Sequence, residues 1–184
     1  MQGKRRVVTG HDANGRSVFV SDEDVEPITF SMSPEGGFHL MWATDEVPTF
    51  PSDGIDPYDK GRARHFYPTG PGSFRFHITT FAPERGGTVL AELDPAQVLA
   101  ETEAKVPGIM SALEPDNPGM HTTDSVDLEI VVSGELTLEL DDGAEKVVRA
   151  GEVIVQNGTR HRWHNRSREP AVLAAILIGG HPRG

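Results

Sequence analysis

Between Met120 and Asn165 the chain reads MHTTDSVDLEIVVSGELTLEL, a tight turn, and then AGEVIVQNGTRHRWHN; no other stretch constrains the fold as much. Val126, Leu128, Ile130 and Val132 alternate with Asp127, Glu129 and Val131, the period-2 pattern of a strand with two different faces. Ser133-Gly134 interrupts the run, Leu136, Leu138 and Leu140 resume it, and Asp142-Gly143 is a hairpin signal. Gly151 opens another apolar run, Glu152 to Gln156, and Asn157-Gly158 turns it back toward His161. The pattern predicts a meander of short antiparallel strands, with histidines and carboxylates gathered at its two ends.

These residues resemble the cupin superfamily. Its first motif runs His-x-His, a short gap, Glu, six residues and Gly; its second ends in His-x3-Asn. His121, Thr123, Asp127 and Gly134 fall at the first motif's positions, and Gly151, Gly158, His161 and Asn165 fit the second. Two ligand positions depart from the pattern: Thr123 stands for the second His and Asp127 for the Glu. The resemblance implies an all-β fold, a single cupin barrel (a double-stranded β-helix or jelly roll).

The rest of the chain is read around that core. Arg5 to Thr9 and Ser17 to Val20 are β-branched runs joined by the turn residues His11 to Gly15. Ile28 to Met32 and Phe38 to Ala43 predict a second hairpin about Pro34 to Gly37, and Phe74 to Phe81 a further strand. Asp45 to Gly72 is irregular and Pro-rich, a length that in a compact domain covers a site or grips a partner. Asp94-Pro95-Ala96-Gln97 starts the one clear helix, with Asp94 as cap, Pro95 at the first turn and Gln97 completing a capping box. It is expected to end near Lys105, with Ile109, Met110 and Leu113 forming an apolar patch or one more turn. Ala171 to Ile178 is apolar throughout, as in a strand buried on both faces. The cupin motif pair occurs once, so 1–184 is read as one domain: 1–82 adds strands and the Pro-rich loop, 83–118 is a helical insert, and 119–180 carries the motifs.

Strand parity selects the chemistry. If His121 points into the barrel, Thr123, Asp127, Glu129 and Val131 do as well, because successive side chains switch faces. His161, Trp163 and Asn165 share a face, and Arg162 and His164 take the other. By resemblance His121, Asp127 and His161 are the metal candidates, a two-His, one-carboxylate set suited to Fe and also to Mn, Ni or Zn. The contrary reading has these groups hydrogen-bonded to one another without metal. Glu129 is the anomaly: an inward carboxyl must be paired, wet or protonated, and is a candidate acid or base with His161. The plainer alternative pairs Glu129 with Arg75. In Phe74-Arg75-Phe76-His77, either the two Phe or Arg75 and His77 face the core. Thr123, Trp163, Arg75, His77 and Trp42 are the candidate substrate-pocket residues, the aromatics also being candidates for plain core filling.

Charge narrows the partners: 17 Lys and Arg against 28 Asp and Glu leave a net charge of −11, which argues against nucleic acid or an anionic membrane. There is no cysteine, so no thiolate or disulfide chemistry. The apolar run Ala171 to Ile178 is too short to cross a bilayer, and a cytoplasmic protein is expected. Neither a Gly-x-Ser-x-Gly elbow nor a phosphate-binding Gly-rich loop occurs. The expected function is a small-molecule enzyme working inside the barrel, of lyase or decarboxylase, isomerase or dioxygenase type, on a small organic acid or aromatic metabolite. The alternatives are a metal-free ligand-binding or sensing module and a structural dimerisation barrel. A homodimer is expected by resemblance.

Overall fold

The computed structural model describes residues 1–56, 64–84 and 94–181. The first segment holds β1 (Lys4–His11), β2 (Ser17–Val25), β3 (Ile28–Phe30) and β4 (Ser33–Thr44). After the Pro-rich stretch come β5 (Phe74–Phe81) and helix α1 (Pro95–Lys105). The remaining strands are β6 (Ser125–Ser133), β7 (Glu135–Glu139), β8 (Glu145–Arg149), β9 (Val153–Asn157), β10 (Arg162–His164) and β11 (Ala171–Gly179). Strands β3-β4-β5-β11-β6-β9 form a six-stranded antiparallel sheet, β10-β7-β8 a three-stranded one, and β1-β2 a separate hairpin. The fold is all-β, with α1 its only helix of any length among the described residues.

The motif stretch is not a meander. β6 pairs with β11 and β9, whereas β7 pairs with β8 and β10, so the chain changes sheet between β6 and β7 and again between β8 and β9. Gly134 makes the crossing at φ 76°, where a Cβ would also stand 2.9 Å from the Ala171 Cα. Period-2 alternation dictates which residues face inward but says nothing of which strand is the neighbour. The second hairpin differs too. β3 ends at Phe30 and β4 resumes at Ser33, so Pro34 to Gly36 is not the turn but an irregular stretch at the start of β4. Gly37 allows the two strands to close, since a Cβ there would meet the Ile28 carbonyl oxygen at 2.2 Å.

β11 is apolar throughout, yet only one of its faces is buried. Ala171, Leu173, Ala175 and Leu177 point in, while Ile176 and Ile178 are exposed. Ile176, Leu128 and Val155 stand in one row across β11, β6 and β9, flanked by Ile178 with Val126 and by Ile130 with Val153. All of these are exposed. Inside, Val131, Leu136, Ile154, Ala171 and Leu173 close one end of the barrel, with Phe81, Leu138, Val148 and Trp163 against them. A second cluster, Phe30, Phe66 and Val106 with Phe38, Leu40 and Tyr67, packs where the insert meets β3 and β4.

Helix α1 begins and ends as its residues dictate. Asp94 Oδ1 accepts from the Ala96 N–H at 2.9 Å, Pro95 occupies the first turn, and Val106 caps the far end. Gln97 is exposed. A short 3₁₀ turn, Ile109–Ala112, follows. The expected insert 83–118 and loop 46–72 lie partly outside the described residues, at 85–93 and 57–63.

The described parts of the Pro-rich stretch are tied down by buried cations. Arg75 is fully buried; it donates to the carbonyls of His65, Thr44 and Phe74 at 2.7–2.9 Å and to Asp45 Oδ1 at 2.6 Å. Arg6 and Arg64 both reach Asp56, at 3.0 and 2.7 Å. Arg75 therefore does not pair with Glu129 but serves as the clasp that brings 64–67 onto the barrel. Replacing Arg75 with Met removes its bonds to three carbonyls and to Asp45, and is expected to cost about 3 kcal/mol in urea unfolding. A loss below about 0.5 kcal/mol would contradict the clasp.

Candidate functional site

Parity places the site. Ser125, Asp127, Glu129 and Val131 are buried and alternate with the exposed Val126, Leu128 and Ile130. Register extends each inward position across the sheet. Asp127 lies in a row with Gln156, Leu177, Arg75 and Ala43, and Glu129 with Ile154, Ala175, His77 and Leu40. Of the two options for β5, Arg75 and His77 face the core.

The two histidines come from outside these rows. His121 and His161 form an antiparallel bridge, exchanging N–H···O bonds of 3.0 and 2.9 Å, and their rings lie 4.1 Å apart. His121 Nδ1 stands 3.0 Å from the Gly119 carbonyl oxygen, and His161 Nδ1 2.8 Å from that of Thr159. A carbonyl can only accept, so each Nδ1 carries the proton and each Nε2 presents a lone pair. Burial lowers both pKa values, that of His161 to about 4 with His121 adding to the effect. Both rings are neutral at pH 7.

The carboxyls shift the opposite way. Burial raises Asp127 to about 6 against a 2.6 Å hydrogen bond from Ser125, whose hydroxyl also lies 2.9 Å from Thr123 Oγ1. Glu129 rises to about 8, from burial first and the Asp127 charge second. At neutral pH Glu129 holds its proton. Glu129 Oε2, Gln156 Nε2 and His77 Nε2 are buried without a hydrogen-bond partner among the described residues.

The other named residues sort by position. Thr123 belongs to the hydroxyl chain just described. Trp163 packs on Phe81 and edge-on to His161, with ring centroids 6.4 Å apart in both cases, as one wall of the closed barrel end. His77 is buried beside Phe66, ring centroids 4.4 Å apart, and is pushed down to about 3 by burial and by Arg75 and Arg64. Arg75 is the clasp. Trp42 is on the outer face: the register shift between Leu40 and Trp42 puts it opposite Phe76, with the Arg6 guanidinium 5.5 Å above its ring. It does not line the interior, because that shift reverses the alternation along β4 and turns the ring to the outer face.

Ser125, Gln156 and Tyr67 also belong to this site. Ser125 was legible as an inward neighbour of Asp127, and Gln156 shares parity with Ile154. Tyr67, its ring 6.2 Å from that of His121 and its hydroxyl pKa raised by burial and by Asp127, sits in an irregular loop that carries no periodic signal.

The donor types suit a divalent cation: two neutral imidazoles with open Nε2 atoms, and two buried carboxyls that no cation among the described residues compensates. His121, His161 and Asp127 do not bring one ligand atom each to within 4.8 Å of one another, and Asp127 accepts from Ser125 at 2.6 Å. Among the described residues the one group meeting that distance is Glu139, Glu145 and His164, on the three-stranded sheet. Its carboxylates are already engaged, Glu139 by Arg162 and His164 at 2.7 and 2.6 Å and Glu145 by Arg166 at 2.6 Å. Arg162 and His164 thus hold that sheet together.

The cupin-domain family model matches residues 112–178. The chain is 36% identical to phomopsin biosynthesis cluster protein D of Diaporthe leptostromiformis over 163 residues, 88% of this chain and 70% of that protein. This chain belongs to the cupin superfamily. It is also similar to cupin-domain-containing oxidoreductase virC of Hypocrea virens, with 27% identity covering 87% of this chain and 66% of the relative. Among solved structures it is similar to a Cupin 2 conserved barrel domain protein from Salinispora arenicola, with 19% identity, a TM-score of 0.37, and 67% and 87% of the two chains covered. No helix among the described residues is long and apolar enough to cross a membrane.

The pKa directions predict a pH dependence. A carboxyl raised on folding contributes stability below its unfolded value, and that contribution is lost as pH rises from about 4.5 through about 8. Histidines lowered on folding cost stability as pH falls below 6.5 toward about 4. In the metal-free protein, Glu129→Gln is therefore expected to be within about 1 kcal/mol of wild type at pH 5 and about 3 kcal/mol more stable at pH 9. Urea unfolding at the two pH values checks this; equal stabilities at pH 9 would contradict it.

Proposed function

We propose that this cupin is an enzyme that moves a proton on a small organic molecule held in the barrel. The supporting observation is Glu129, a carboxyl protonated at neutral pH, with an unpartnered oxygen, sharing an interior with two neutral imidazoles. Glu129 is suited to donate its proton to a substrate heteroatom, with Asp127 or the lone pair of His161 as acceptor. Thr123 and Ser125 hold Asp127 in place, Trp163 and His77 shape the interior, and Tyr67 bounds it beside His121.

A divalent ion, Fe, Mn, Ni or Zn, would be held by His121 and His161 with Asp127 as the carboxylate, and would supply Lewis-acid or redox chemistry. If His121, His161 and Asp127 held such an ion, Glu129 would remain the residue that holds and moves the proton. The relatives named as cupin-domain oxidoreductases favour the dioxygenase type over lyase or isomerase chemistry. The reading takes 1–184 as one cupin unit, and its lack of cysteine suits a reducing cytoplasm.

Two measurements test it. Elemental mass spectrometry is expected to find near one ion per chain in wild type and none in His121→Ala/His161→Ala. Metal near zero after reconstitution with all four ions would retire that ligand set. Incubation with a mixture of small aromatic and aliphatic compounds is expected to show conversion that Glu129→Gln reduces about 100-fold or more. Compounds retained but unconverted by both proteins would instead identify a binding module.

The exposed apolar rows on β11, β6 and β9 support a second copy of the chain as partner. Val153→Glu/Val155→Glu is expected to convert a dimer to a folded monomer in sedimentation velocity. A wild type that sediments as a monomer at micromolar concentration would overturn the dimer.

A further inference from the structure

Helix α1 does not pack as an ordinary surface helix. Its one buried side chain is Thr102, which bonds back to the Val98 carbonyl at 2.7 Å, while Val98 is only half-buried and Leu99 is exposed. What holds the helix to β3 lies toward its C-terminal end, where Val106 joins the Phe30 and Phe66 cluster and two polar bonds are made. Lys105 donates to the Thr29 carbonyl at 2.7 Å, and Glu101 accepts from the Ser31 N–H at 3.1 Å. Beneath the helix is a cavity of about 780 Å³, walled by Phe38 and Phe81 from the sheet, Val98 from α1, and Met110 and Leu113 from the turn after it. That volume lies within the usual range for a small-molecule site.

The charge on its wall selects the ligand. Among the described lining residues the only charged one is Glu114, and both of its oxygens are taken by Arg160 at 2.5 and 2.7 Å. With neither Lys nor Arg in that lining, a carboxylate or phosphate entering would lose its hydration without gaining a counter-charge. The cavity also adjoins the histidines. Gly119 lines it and its carbonyl holds His121 Nδ1 at 3.0 Å, while Leu113 lines it and bridges to the His121 backbone.

We infer that this cavity receives the apolar body of the substrate, an uncharged aromatic or hydrocarbon-rich molecule whose polar end faces His121 and His161. The inference rests on the enzyme reading above and, of the two substrate classes expected from sequence, favours the aromatic one over a small organic acid without an apolar body to fill the cavity.

The test uses the neutral dye N-phenyl-1-naphthylamine with the full chain. Wild type is expected to bind one dye per chain. Thr79→Trp, which fills the cavity from the sheet side, and Met110→Lys, which charges it, are expected to weaken binding at least about tenfold. Both should keep the wild-type melting transition and metal content. Val153→Lys/Val155→Lys, on the outer sheet face, is expected to bind as wild type. Binding unchanged in both cavity variants, or lost only in the outer-face variant, would overturn the inference. His121→Ala/His161→Ala is expected to bind dye normally, so failure of the catalytic reading shows in metal content and turnover, and failure of this one in dye binding.

Discussion

Desolvation of two carboxyls that no cation among the described residues compensates is the constraint on which the rest of the site depends. Asp127 and Glu129 are two residues apart on one strand and so project side by side into the same interior. A nearby guanidinium would hold both ionised, and the one in the same row is Arg75. That guanidinium is spent on three carbonyls and Asp45. With the cation committed elsewhere, burial raises both carboxyls, and the same dryness keeps the facing imidazoles neutral. Proton-holding acid and proton-free base then coexist at neutral pH because the environment pushes their affinities in opposite directions.

Arg75 links that electrostatic arrangement to the architecture. By reaching the His65 carbonyl it draws the end of the Pro-rich stretch onto the barrel, which sets Phe66 against His77 and Tyr67 near His121. The smaller sheet has three strands against the other's six. Helix α1 packs against β3, and with the turn after it walls a cavity whose other side is Phe38 of β4 and Phe81 of β5. Gly119 and Leu113, which line that cavity, are the residues that tie it to His121.

The outer face of β11, β6 and β9 obeys the same parity with the opposite outcome. Each inward carboxyl or small residue has outward Val, Leu or Ile neighbours, and none of the described residues covers them. The strand set that builds the interior therefore presents an apolar surface of a kind that protein partners bury.

Alternation from Val126 to Val132, the spacing of His121 to Gly134, and Gly151 to Asn165 were enough to read the barrel family and the inward set Thr123, Asp127, Glu129 and Val131. Local chemistry also set the start and end of α1, since a cap and a proline act within one turn. What the sequence left open is whatever depends on a neighbour in space. That Gly134 sends the chain to another sheet, that β11 buries one face and not two, and that Trp42 faces out are results of pairing and register. Arg75 was legible as an inward cation but not as the partner of Asp45 rather than Glu129, because those residues are close only after folding. Tyr67 and the α1 cavity left no mark in the sequence, for a loop has no period and a cavity is an absence of packing. Periodicity assigns a side chain to a face; only tertiary structure decides what that face meets.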